Sequence, residues 1–354
     1  MVATPIRANG FKVLFLLLLG TGLRQQHDDP GMAGAAAAFA LSPTDATTAT
    51  ALITGSTDGI GVTTARSILS GENGLNKVLI HGRDEDRIRS AVEGIALAGR
   101  NSEAGVVPAA VPLPASDLST ADGCYDLAKS VLASGHSSHL KVLMNNAGVY
   151  SNRLVRTRDG LELTFAVNVL APFVVTSMLL STLLENGSIN TKVAASRIVI
   201  ASSVSQSWKL PKDYWEDPQY HKRAYSAHGA YSESKLLDAV LTFEMAHRLN
   251  EVVGASSVLT CNCLDPGTVN TKMLLDGWGP IGIPVDSALD ETWCCTSREL
   301  EGVSGEYFVG RTSRRASGCA YDSYHRDKLW ETLSELAPEA AAEWDRAVEL
   351  YTAK

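Results

Sequence analysis

The sequence predicts an α/β fold built on one doubly wound parallel sheet, and three observations set that expectation. Short apolar runs alternate with helical patterns from residue 50 onward. The first run, Ala51-Leu-Ile53, leads into a turn with glycines at 55, 59 and 61, and Val62 to Ser70 then reads as a helix. No linker divides residues 50–354, so they read as a single domain. Strands alternating with helices give right-handed βαβ units, which place helices on both faces of a parallel sheet.

The strand, glycine turn and helix form the stretch that carries the most chemistry. A helix that starts there leaves its first N–H groups without intrahelical partners. With the helix dipole behind them, those groups make a site for a pyrophosphate. Glycine is required where a Cβ would block the ligand's approach or forbid the turn's dihedrals. The spacing is G-x-x-x-G-x-G rather than the commoner G-x-G-x-x-G, and an ordinary glycine-rich turn would give the same letters.

Further along, Lys77 to His81 reads as strand two and Asp84 to Ala98 as a helix with an acidic start. Val106 to Leu113 holds strand three despite Pro108 and Pro112. Ser119 to Ala133 is helical, and Leu140 to Asn145 is strand four. Gly160 to Leu184 fits a long buried helix with Asn168 as a polar break. Arg197 to Ala201 is strand five, Ala227 to Asn250 another long helix, and Ser257 to Asn262 strand six. Glu306 to Val309 is a late seventh strand. The sheet predicted is Rossmann-like.

With 354 residues, 45% of them hydrophobic, the chain can bury a full core. Its formal charge of −8 argues against nucleic acid or an anionic membrane surface as the main partner. The 6 cysteines form no C-x-x-C pair and read as buried thiols, with no metal site. Residues 1–49 read as a leader and linker outside the fold. Arg7 and Lys12 precede the apolar core Val13 to Leu19, the layout of a secretory signal peptide. That core is short for a bilayer span. A cleavable alanine-rich stretch, Ala33 to Ser42, follows it. Phe39 after the alanines resembles the cleavage junction of bipartite plastid leaders of diatoms and related algae. Entry to the secretory route is therefore expected, with plastid, ER and a membrane anchor all open as destinations.

In a doubly wound sheet, ligands bind beyond the carboxyl ends of the strands. On the helix after strand five, Tyr231 and Lys235 lie four residues apart and share one face. A phenol titrates near pH ~10, and a neighbouring ammonium favours its ionised form. Such a pair suits general acid/base work, although a tyrosine packed on a lysine stem has the same spacing.

Five motifs then occur in order: Thr54-Gly-x-x-x-Gly-Ile-Gly61, Asn145-Asn-Ala-Gly148, Ser203, Tyr231-x-x-x-Lys235 and Pro266-Gly-x-Val-x-Thr271. In this the chain resembles the short-chain dehydrogenase/reductase family in its classical form, over about residues 50–330. The resemblance implies that Tyr231 exchanges a proton with the substrate oxygen and that Ser203 holds that oxygen, with Ser202 as the alternative. It implies that Lys235 lowers the tyrosine pKa and bonds the nicotinamide ribose, and that Asn168 holds a relay water. Gly55, Ser56, Thr57, Asp58, Gly59, Ile60 and Gly61 would form the phosphate loop. Asp117 and Leu118 would receive the adenine. Asn145, Ala147 and Gly148 would line the cofactor, with Asn145 also tying strands together, and Pro266, Gly267, Val269 and Thr271 would flank the nicotinamide.

Cofactor choice is read at the end of strand two, where an acid favours NAD and a cation favours NADP. His81-Gly-Arg83 offers an arginine fork suited to a phosphate, so NADP(H) is expected. Asp58 is a departure that would repel that phosphate. The 27 residues between Ser203 and Tyr231 hold Trp208, Tyr214, Trp215, Tyr220 and Tyr225, which read as an apolar pocket wall. Met273 to Trp278 reads as a mobile flap. With Ser304 to Phe308, these features look most like the retinol-dehydrogenase-like branch, implying a bulky lipophilic carbonyl or alcohol as the small-molecule partner. Reduction of a carbon–carbon double bond, as in the protochlorophyllide reductase branch, and a non-catalytic nucleotide sensor stay open. A homo-oligomer is compatible with the sequence.

Overall fold

A computed structural model describes residues 49–98, 108–188, 195–254 and 258–354. All of these fall in the compact unit Ser42–Lys354. The leader readings at 1–48, the start of the predicted third strand at 106–107 and Ser257 lie outside the described residues.

The sheet has eight strands in the order β3-β2-β1-β4-β5-β6-β7-β8. They are β1 (Ala49–Ile53), β2 (Leu75–Ile80), β3 (Ala109–Pro112), β4 (Leu140–Asn145), β5 (Ser196–Ala201), β6 (Leu259–Asp265), β7 (Tyr307–Val309) and β8 (Thr312–Arg314). Each adjacent pair from β3 to β7 is parallel, as predicted. Side chains alternate between the two faces of each strand. Leu52 and Leu143 thus enter one apolar cluster, while Ala51, Ile53, Val142 and Met144 enter the other. Both faces are covered, which is why these strands read as unbroken apolar runs.

On one face lie α1 (Gly59–Ser70), α2 (Glu85–Ala98) and α8 (Asp290–Thr296), which bury Ala65, Ile68, Ile88 and Cys295. On the other lie α3 (Ala121–Ala133), α5 (Ala171–Gly187), α6 (Ala227–Val253), α9 (Ser323–Leu336) and α10 (Pro338–Thr352). The apolar stretch Leu163–Gly187 is long enough to cross a membrane, but 89% of its most apolar window is buried inside the protein, as a core helix requires. All six cysteines are free; five are buried and Cys319 is half-buried.

The structure differs from the predicted elements in three places. The predicted helix from Gly160 begins instead at α4 (Leu163–Phe165). Gly160, at φ +79°, closes a turn onto Thr157, and the Glu162 carboxylate caps α4 by accepting from Thr164 and Phe165 N–H. A π turn, Ala166–Leu170, then carries the chain into α5 and places Asn168. At the far edge, Gly310 and Arg311, both with positive φ, turn β7 back into the antiparallel strand β8. With three residues, all exposed, β8 carries no hydrophobic period to read. Helices α9 and α10 were also not singled out in the sequence; they bury Leu329, Leu333 and Trp344.

Candidate active site

The strand order reverses between β1 and β4, and a cavity of ≈ 800 Å³ opens there at the carboxyl ends of the strands. The glycine loop forms one wall. Gly55 and Gly59 have φ of +65° and +56°, which L side chains rarely adopt. Gly55, Thr57, Asp58, Gly59 and Ile60 line the cavity. Ser56 and Gly61 do not reach it. Ser56 is buried and pins the turn, donating to Ile53 O at 2.8 Å and accepting from His81 N at 3.0 Å. Gly61 packs so closely that a Cβ would lie 2.6 Å from Gly55 O.

Asp58 caps α1, accepting from Gly59 N at 2.8 Å. The expected repulsion of a phosphate is corrected, because Lys272 and Arg87 both pair with its carboxylate and hold it below the usual range against its partial burial. Arg83 and Arg87 line the cavity beside it. Asp84 is also engaged, accepting from Arg87 N at the start of α2 at 2.9 Å. Asp117 and Leu118 line the same end.

Across the reversal point, Thr54 and Asn146 join β1 to β4. Thr54 Oγ1 accepts from Asn146 N and Ala147 N at 3.0 Å each, and Asn146 Nδ2 donates to Thr54 O at 2.7 Å. Asn145 is buried behind this seam and donates to Thr176 Oγ1 at 3.2 Å, so it ties β4 to α5 and does not line the cavity. Ala147 and Gly148 do line it.

Ser203, Tyr231 and Lys235 all line the cavity. Ser203 is among the groups that draw the Tyr231 pKa down, and its hydroxyl is held by accepting from Ser205 N at 3.0 Å. Lys235 Nζ stands 5.8 Å from the Tyr231 ring centroid and donates to Ala201 O at 2.7 Å and to Asp238 Oδ2 at 2.9 Å. Burial pushes the phenol's pKa up and Lys235 pulls it down, but Asp238 and Asp265 oppose the lysine. In sum the phenol sits above its ordinary value, so the ammonium's lowering effect is outweighed. Ser202 is buried, donating to Lys235 O at 2.7 Å, which supports the helix.

Asn168 does not line the cavity; it accepts from Val149 N at 2.8 Å and donates to Ser234 Oγ at 2.9 Å. It nonetheless adjoins the lysine. A Cβ on Gly148 would lie 3.5 Å from Asn168 Oδ1 and 3.7 Å from Lys235 Nζ, so the glycine leaves space between the two.

Pro266, Gly267, Val269 and Thr271 line the wall after β6. The Asp265 carboxylate shapes it by accepting from Val204 N at 3.0 Å and Gly267 N at 3.2 Å. Met273 to Trp278, read as a mobile flap, falls mainly in α7 (Lys272–Gly277), capped by Thr271. Trp278 closes that stretch, packing on Tyr231 at 5.4 Å and Tyr150 at 4.8 Å between ring centroids.

The aromatic insert is corrected: none of its five rings lines the cavity. Tyr214 and Tyr220 are buried around the Arg223 guanidinium, which lies 5.0 and 4.2 Å from their rings and pairs with Glu233 at 3.2 Å. Trp215 donates to His325 at 3.0 Å, and Trp208 is 84% exposed. Composition signalled burial of this segment but not what buries it. Residues left by the sequence without a role of their own at the site are Thr54, His81, Arg87, Asn146, Lys272 and Glu291, whose contacts join elements far apart in the chain. Among the described residues no group of three or more His, Cys, Asp or Glu side chains is placed to hold a metal.

The short chain dehydrogenase family profile matches residues 49–212. Human retinol dehydrogenase 14 is 31% identical over 310 residues, covering 81% of this chain and 85% of its own. Human polyprenol dehydrogenase is 29% identical over 299 residues, covering 81% and 84%. A 3-oxoacyl (acyl-carrier-protein) reductase from Agrobacterium tumefaciens, solved with NADP bound, shares the fold with a TM-score of 0.54 and 22% identity, over 73% of this chain and 92% of its own. By relatives, fold and the order of its motifs, the chain belongs to the short-chain dehydrogenase/reductase family, in its retinol-dehydrogenase-like branch, and is an oxidoreductase.

Proposed function

We propose that the protein interconverts a carbonyl and an alcohol with NADP(H), on a bulky lipophilic substrate, with Tyr231 as general acid/base. The observation that carries this reading is one cavity holding Ser203, Tyr231 and Lys235 together with the glycine loop of β1 and α1. The loop fits a dinucleotide. Gly55 and Gly59 present no Cβ, and α1 begins at the cavity with its first N–H groups free of intrahelical partners. NADP(H), when bound, supplies or accepts the hydride.

The chain's own residues do the rest. Ser203 holds the substrate oxygen, and Tyr231 donates a proton to it in reduction and takes one back in oxidation. Lys235 bonds the ribose and faces the phenol, while Asn168 and Gly148 leave room for a water that feeds protons to the lysine. Arg83 receives the 2′-phosphate. Two observations support NADP(H) over NAD: two arginines line that end of the cavity, and the acids adjoining them in the chain and in space, Asp84 and Asp58, are engaged by protein groups. Val204, Met273, Leu274, Trp278 and Ile281 give the substrate end apolar walls, in keeping with relatives named for retinol and polyprenol.

Oxidation of NADPH by the full chain, with aliphatic, aromatic and retinoid aldehydes compared, tests the reading. Long lipophilic aldehydes are expected to give the highest kcat/KM. Absence of turnover with all three classes would overturn it.

A further inference from the structure

Behind the reacting groups lies a carboxylate that the mechanism above does not use. Asp238 follows Lys235 by three residues on α6, so the two share one face. Its side chain is 0% exposed and that of Lys235 6%, and their contact is 2.9 Å. Only one of its oxygens is used: Oδ1 is buried without a hydrogen-bond partner. An unpaired buried oxygen costs stability, so packing alone does not account for a carboxylate at this position.

We propose that Asp238 is a positioning residue for Lys235, anchoring the ammonium and cancelling its charge, and thereby setting the acidity of the Tyr231 phenol. The proposal rests on the acid/base reading of Tyr231. Nζ has three donors, and Ala201 O and Asp238 take two, leaving one for a ligand. The ammonium is thus aimed from behind.

The groups facing this pair from other elements do not restore positive charge. Asp265, at the end of β6, and Glu291, on α8, are acids, and Glu291 accepts from Thr64 on α1 at 2.9 Å. Cys263 on β6 is a neutral thiol, its pKa pushed by burial up to about 12. Lys235 is therefore the one cation acting on Tyr231 in this group, and Asp238 opposes it at closest range. Burial pushes the Asp238 carboxyl up to about 7 against the lysine's pull. Burial alone would lower the ammonium's pKa, but Asp238 and Tyr231 more than offset it, so above about pH 7 the pair faces the phenol as ammonium and carboxylate.

Asp238→Asn keeps an acceptor for Nζ and removes the charge, so Tyr231 would meet an uncancelled ammonium. Ultraviolet difference titration of the full chain, with Tyr231→Phe as the blank, reads the phenol directly. The phenol's pKa is expected to fall by about half to one unit, and the alkaline limb of carbonyl reduction to move with it. NADPH affinity should stay within about threefold, because the anchor remains. Asp238→Leu removes anchor and charge, and should weaken NADPH by about tenfold or more. An unshifted phenol in Asp238→Asn would overturn the proposal. A shifted phenol in a protein that turns over no carbonyl would sink the acid/base reading and leave the charge cancellation standing. If Asp238→Asn does not fold, the double variant Lys235→Met with Asp238→Leu decides. Both opposed charges then go together, so its phenol stays within about half a unit of wild type, whereas a rise of about two units would overturn the proposal.

Discussion

The backbone N–H of Gly55 donates to Nδ1 of His81 at 3.0 Å, which ties the glycine loop to the end of β2. The other ring nitrogen, Nε2, lies 3.2 Å from Ser116 O, so the proton sits on Nε2 and the neutral ring bridges two loops. Burial lowers the pKa of His81 to about 4.

That shift makes a stability prediction. Unfolded, His81 would bind a proton near pH ~6.5; folded, it stays neutral down to about 4. The stabilisation from keeping it neutral is complete above the unfolded pKa and fades as pH falls from about 6.5 through 4, by about 3 kcal/mol in all. Thermal melts across that range should show wild type losing more than His81→Gln, although the variant starts lower at pH 7. Equal losses would mean that the ring's neutrality is not linked to folding.

Tyr231→Phe should lower turnover by ~10²–10⁴-fold and leave NADPH binding nearly intact, because the ring stays and only the exchangeable proton goes. Steady-state rates and fluorescence titration check the two halves separately. A variant with wild-type turnover would remove Tyr231 from the reaction.

Arg83→Ala should weaken NADPH by ~1.5–3 kcal/mol, the scale of a charge-assisted hydrogen bond, and hardly change NADH. Arg87→Ala should cost less, since Arg87 already shares its charge with Asp58 at 3.0 Å. Calorimetry on both variants with both cofactors decides. Equal losses for NADPH and NADH would make Arg83 structural.

Trp278→Ala opens the wall against which Tyr231 and Tyr150 pack. An aromatic contact of this kind is worth ~0.5–1.5 kcal/mol beyond its buried area. The kcat/KM for long lipophilic aldehydes should fall by about tenfold, while that for a short aldehyde stays near wild type. A uniform fall would place Trp278 in support of Tyr231 and not in the substrate wall.

The native N-terminus tests the leader. With positive charge before an apolar core at 13–19, the chain should be cut near Ala38 and Phe39. Mass spectrometry of the mature protein showing Met1 retained would overturn cleavage.

The sequence by itself determined the parallel sheet, the glycine turn and the Tyr231–Lys235 pair. Each is local: a short apolar run, three glycines and a four-residue helical spacing can all be read within about a dozen residues. It did not reach β8, whose three exposed residues carry no period, nor the start of α4, which a turn at Gly160 and the Glu162 cap displaced. Only the tertiary structure decided what each charge meets. Asp58 is read in isolation as repelling a phosphate, but Lys272, 214 positions away, neutralises it. The ammonium of Lys235 is read as lowering the pKa of Tyr231, but burial and Asp238 outweigh it. The insert's aromatics look like a pocket wall until Arg223 and Glu233 draw two of them into the core. Electrostatic outcome depends on distance and desolvation in three dimensions, and spacing along a chain carries neither.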